Sequence, residues 1–104
     1  MRDINGIIRY SRKTFGDEAA LLYRSLVLIG IETLAKEPVQ RTAKTNKNVR
    51  GGAWVYHLRH VRQPGPSVVQ RPRHVIAYVF DAEVITIIRV LHDAMDLPRH
   101  LRGR

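Results

Sequence analysis

A chain of 104 residues has room for one domain and one modest hydrophobic core. Its 18 Lys+Arg against 9 Asp+Glu give a formal net charge of +9, which calls for an anionic partner: nucleic acid, an acidic protein or a membrane surface. Hydrophobic residues at 44% exclude a disordered composition, and the lack of cysteine excludes a disulfide framework and a thiolate zinc site, as suits a reducing cytoplasm.

The first residues, Met1 to Gly6, have no apolar stretch of the kind that starts a signal peptide. Ile4, Ile7, Ile8 and Ser11 fall at helical spacing and predict a helix over 3–13, with Asp3 as its N-cap. Gly16 ends that helix and Asp17 starts a second, which should run to Lys36 before Glu37-Pro38 stops it. Tyr23, Val27, Gly30 and Leu34 form one stripe, flanked by Ala20, Leu26 and Ile31. So wide an apolar surface needs cover from the first helix on one flank and a sheet on the other. The longest apolar run, Leu26 to Ile31, is far short of the roughly 20 residues that span a bilayer, so no membrane partner is expected.

From Val39 to Arg50 the chain is polar and basic without periodicity, and reads as a loop. Ala53 to Val61 alternates as a strand, with Trp54, Tyr56, Leu58 and His60 on one face. His74 to Phe80 is a second strand and Glu83 to Leu91 a third, joined by a turn at Asp81-Ala82. The third is apolar on both faces, which predicts a strand covered on both sides. The fold class is α+β: a helical hairpin packed on an antiparallel three-stranded sheet, one domain over 1–104.

His57-x-x-His60 is the one spacing that suggests a metal, but residues three apart on a strand face opposite ways, so no metal is expected. Trp54, Tyr56 and Tyr78 could stack nucleic-acid bases; their alternation with Leu58 on one strand face fits a core better. The net charge still implies non-specific nucleic-acid affinity that falls steeply with salt.

Three segments resemble a known family. Phe15-Gly16, Ala20-x-x-Tyr23 and Leu34-Ala35-x-x-Pro38 are similar to an "FG…A-x-x-Y…LA-x-x-P" run. Arg73-His74-Val75-Ile76-Ala77-Tyr78 resembles an "RH-hydrophobic-hydrophobic-x-Y" strand. The most specific segment is Ile88-Arg89-Val90-Leu91-His92-x-x-Met95-Asp96-x-Pro98-Arg99-His100-Leu101, which resembles the ending "I-[LV]-R-V-L-H-x-x-[MR]-D-x-x-R-H-L". These are the marks of ParE-type toxins of the RelE/ParE superfamily. Such proteins usually open with a β-strand, whereas a helix pattern here begins almost at Met1. A sheet without that strand would expose an unpaired edge and so depend more on a partner, antitoxin or second copy.

The resemblance implies a toxin of a type II toxin–antitoxin system that traps DNA gyrase on cleaved DNA, acting by binding and without a cofactor. It also implies a hetero-oligomer with a cognate acidic antitoxin, whose amphipathic helix would lie in the groove of the helical hairpin, with Ile4, Ile8 and Leu22 as the exposed apolar contacts. The basic C-terminal end, Arg89, His92, Arg99, His100 and Arg102, is the candidate surface for target or DNA. An alternative within the superfamily is a RelE-type ribosome-dependent mRNA endonuclease. Its parts would come from Arg59, Arg73, Arg89, His57, His74, Tyr78 and His92, although Arg89 and His92 should point to opposite faces. Their structural reading is an arginine tied to Asp93 or Asp96 and a histidine ending the strand. A third reading is an inactive member that binds antitoxin and serves autoregulation.

Overall fold

The computed structural model describes residues 2–45, 52–65 and 68–95. Helix α1 spans Arg2–Phe15 and α2 spans Asp17–Lys36, antiparallel across the single residue Gly16. Gly16 has φ 96°, a left-handed conformation that a side chain would resist, so the reversal falls where only glycine is comfortable. The expected second helix is therefore found with the expected bounds. Asp3 is not a cap: it sits inside the first turn of α1, and its carboxylate turns to the sheet.

Strands β1 (Lys44–Thr45), β2 (Trp54–His57), β3 (His74–Phe80) and β4 (Ile85–His92) form one antiparallel sheet in the order β1-β2-β3-β4. That is one strand more than the three expected. The addition is the two-residue β1, which lies in the segment read as loop and pairs Lys44 with Val55 and Thr45 with Trp54. A pair so short leaves no alternation to detect. The strand expected over Ala53 to Val61 ends at His57, where the chain turns into a 3-10 helix over Leu58–His60. Its first N–H group that lacks a helical partner, Arg59 N, donates to His57 Nδ1 at 3.0 Å, so the side chain of the last strand residue stabilises the turn. The β3–β4 turn is held in the same way, Asp81 Oδ1 accepting from the N–H groups of Glu83 and Val84 at 2.9 Å each.

The stripe of α2 packs as its spacing predicts: Ala20, Leu26, Val27, Gly30 and Leu34 are buried. Leu26, Val27 and Leu34 meet Tyr56, Leu58, Ile76, Tyr78 and Val90 in the main core. Gly30 lets helix and sheet approach closely; a Cβ there would lie 3.1 Å from Leu58 Cδ2 and 3.2 Å from Ile76 Cδ1. Tyr56 and Tyr78 are core residues, and the Tyr78 hydroxyl donates to the Pro38 carbonyl at 2.5 Å. Desolvation pushes that hydroxyl up to about 12, so it stays a donor. The opposite sheet face carries a second apolar cluster, Ala53, Val75, Ala77 and Leu91, which accounts for the two-faced apolar pattern of the last strand. In β4, Ala77 pairs with Arg89 but Tyr78 with Ile87, so Ile88 is an extra residue, a bulge that shifts the register. No helix among the described residues is long and apolar enough to cross a membrane.

Candidate functional site

The end of the sheet formed by His74 and His92 gathers the titratable side chains. His74 opens β3 and pairs directly with His92, the last residue of β4, so both rings project on the helix side of the sheet, 5.4 Å apart between centroids and edge to face. Tyr23 of α2 reaches the same point, its hydroxyl 2.5 Å from His74 Nδ1, while the Arg73 N–H donates to the Tyr23 oxygen at 3.2 Å. Burial raises the pKa of Tyr23 and, with His92 nearby, lowers that of His74 to about 4. The proton therefore stays on the tyrosine oxygen and His74 Nδ1 accepts it, as a neutral ring.

Asp93, just beyond β4, is the hub beside this pair. Its carboxylate accepts two bonds from Arg73 Nε at 3.1 Å and one from Nη2 at 3.0 Å, and lies 2.8 Å from His57 Nε2. Because His57 Nδ1 already accepts from Arg59 N, the ring proton sits on Nε2 and is donated to Asp93. Arg73 first, and His57 second, hold the Asp93 carboxyl down at about 2. The backbone joins in, Asp93 N donating to Arg73 O at 2.8 Å. His92 Nδ1 accepts from Ala94 N at 3.1 Å.

Arg89 goes elsewhere. Its Nε and Nη2 donate to the two Asp3 oxygens at 2.8 and 3.0 Å, and the same carboxylate accepts from Val90 N at 2.9 Å. The expectation that an aspartate ties Arg89 is met, but the aspartate is Asp3, 86 positions away, and not Asp93. Arg89 pairs with Ala77 and His92 with His74, which places Arg89 and His92 on opposite faces, as strand spacing requires. The remaining basic candidates, Arg99, His100 and Arg102, lie outside the described residues, as does Asp96. His57 and His60 are not kept apart, because the 3-10 turn brings their rings to 6.5 Å. Among the described residues, no three His, Asp or Glu are grouped to hold a metal ion.

The hairpin residues separate. Ile4 packs against the main core and, with Ile8, lines a groove between the helices edged by Arg9, Arg12 and Arg24. Leu22 lines a different cleft, beneath the α1–α2 turn. More exposed than any of these are Leu21 and Leu28 on the outer face of α2, at 60% and 45%, which the helical pattern alone did not single out. Seven residues apart, they lie on one face with Arg24 between them. The Tyr23–His74 pair was also missed: it joins two segments whose only shared signal was a family motif residue in each.

No curated protein matches the sequence significantly. The profile of one family, described as the ParE toxin of the type II toxin–antitoxin system parDE, matches residues 1–97. Nearly the whole chain, from the helical hairpin through the strand carrying Arg89 and His92, is thus accounted for by one family: the chain belongs to the ParE toxins of type II toxin–antitoxin systems.

Proposed function

We propose that this toxin acts in the cytoplasm by binding DNA gyrase and holding it on cleaved DNA, and that a cognate acidic antitoxin neutralises it. The observation that carries the reading is the family match over residues 1–97. A binding mechanism is favoured over phosphate chemistry by the fate of two of the three candidate arginines, Arg89 and Arg73. Arg89 is paired with Asp3 and Arg73 with Asp93, so each guanidinium would have to leave a carboxylate before it could stabilise charge on a scissile phosphate. The target-binding surface is the basic C-terminal end, with His92 at its root and Arg99, His100 and Arg102 beyond it.

The antitoxin is read as an amphipathic helix laid on the hairpin. Exposed Leu21 and Leu28, and the Ile4–Ile8 groove between Arg9, Arg12 and Arg24, supply apolar contacts bordered by positive charge, which suits an acidic amphipathic segment. Purified toxin is to be incubated with gyrase, ATP and supercoiled DNA, and in parallel with a translating extract. Linear DNA released after denaturing the enzyme is the expected product. Messenger RNA cut at ribosome-occupied codons, with intact DNA, would replace this reading with the endonuclease one.

A further inference from the structure

Two clefts meet at Tyr10, His74 and His92. One runs along the β4 edge beside α1, past Asp3, Gly6 and Ile7. The other, of about 550 Å3, opens between the α1–α2 turn and residues 68–74, with Phe15, Ala19, Leu22 and Val69 among its apolar walls. That volume lies within the range of ordinary binding sites.

The permanently charged side chains of this cleft, Arg71 and Arg73, are both positive. Arg71, Arg73, His74 and His92 line it, and no described carboxylate does. Arg73 is engaged by Asp93, but Arg71 is exposed and makes no ion pair among the described residues. The Nδ1 atoms of both histidines are already occupied, one by the Tyr23 hydroxyl and one by Ala94 N, so each ring has Nε2 as its remaining nitrogen. An aromatic-walled apolar cleft with a cationic rim fits an apolar side chain flanked by a carboxylate. Continuity with the β4-edge cleft makes a peptide the better fit than a small molecule. From Asp3 to Phe15 the groove follows α1 for roughly 18 Å, the reach of five or six extended residues.

We propose that the cleft beneath the α1–α2 turn seats an apolar anchor residue of the antitoxin, with an adjoining antitoxin carboxylate on Arg71. This contact is separate from the hairpin groove at Ile4 and Ile8. It rests on the reading of the chain as a toxin neutralised by an acidic antitoxin, and adds a second place at which that partner is held.

The test uses full-length toxin and purified full-length cognate antitoxin, titrated by calorimetry at two salt concentrations. Ala19→Trp fills the cleft and Arg71→Glu reverses its rim; Arg62→Glu, exposed and outside the cleft, controls for net charge, and Ile8→Glu reports on the hairpin groove. Ala19→Trp and Arg71→Glu should each weaken binding by roughly tenfold or more, with the Arg71→Glu effect shrinking at high salt. Arg62→Glu should change binding far less. Arg71→Glu should unfold at the wild-type temperature, so its result stands even if Ala19→Trp folds poorly. If both cleft variants bind like wild type while Ile8→Glu does not, the anchor site is overturned and the antitoxin reading survives. Wild-type toxin that binds no antitoxin overturns both. Intact antitoxin binding with lost gyrase poisoning would also overturn the proposal, reassigning the cleft to the target.

Discussion

Asp3 and Asp93 each hold an arginine at a flank of the sheet, and the contrast between them separates scaffold from site. The Asp3 side chain is 14% exposed and its partners include a guanidinium and a backbone N–H, those of Arg89 and Val90. Neither of these two titrates near neutrality, and together they clamp α1 to the edge strand. Asp93, at 22% exposure, holds Arg73 and also His57, with His92 3.5 Å away. Two of its neighbours, Arg73 and His92, also line the Tyr23–His74 cleft. Similar carboxylate chemistry therefore ties helix to strand at one place and gathers arginine and histidine side chains at the other, and each lies near a cleft: Asp3 lines the one along the β4 edge, while Arg73 and His92 line the one beneath the α1–α2 turn.

The largest expected effect comes from removing the clamp. Asp3→Ala deletes two charge-assisted bonds to Arg89 and the bond to Val90 N, which should cost about 2 kcal/mol, the low end of the range because Arg89 is partly exposed. Urea unfolding measures it, and a loss below about 0.5 kcal/mol would mean that water replaces the clamp freely.

Next is the pH limb at the other end. His74 is held at about 4 against an ordinary 6.5, so between those values the unfolded chain binds a proton that the folded chain refuses. Stability should fall as pH drops from 6.5 to 4, and His74→Gln should flatten that limb in urea midpoints taken across the range. A variant as steep as wild type would place the titration elsewhere.

Asp93 should act lower. Its folded value of about 2 lies below the ordinary 3.8, so its contribution is present above about pH 4 and is lost as pH falls toward 2. Asp93→Asn should be less stable than wild type at neutral pH, with the difference closing in acid. A gap that stays constant down to pH 2 would show that packing, and not charge, holds the hub. The smallest effect is expected from Arg12→Ala. It breaks the Arg12–Asp17 pair, whose side chains are 61% and 84% exposed, and should change stability by no more than about 0.5 kcal/mol.

The two helices, three of the four strands and the core stripe could be read from local pattern because each rests on local rules. Gly16 supplies the turn, Pro38 the stop, and residues 20, 27, 30 and 34 the buried face of α2. The final motif running through Arg89 and His92 points to the ParE family by itself, and the family match over residues 1–97 agrees with it. Three local readings failed for a physical reason: Asp3 lies inside α1 with its carboxylate drawn to the sheet rather than capping the helix, and the other two concern strands. The β1 pair is too short to show alternation, and the end of β2 depends on one side chain, His57, accepting its neighbour's N–H.

What only the tertiary structure decided are the pairings between distant segments. Asp3 with Arg89, Tyr23 with His74, and His57 and Arg73 with Asp93 join positions 86, 51, 36 and 20 apart. Spacing reports which face a residue occupies within its own element, but not which residue of another element will face it. That depends on how α2 lies on the sheet, on the bulge at Ile88 and on where α1 meets β4. Sequence alone therefore determined the family and the parts of the fold. The packing of those parts determined that Arg89 serves as a clamp and that the histidines border a cleft.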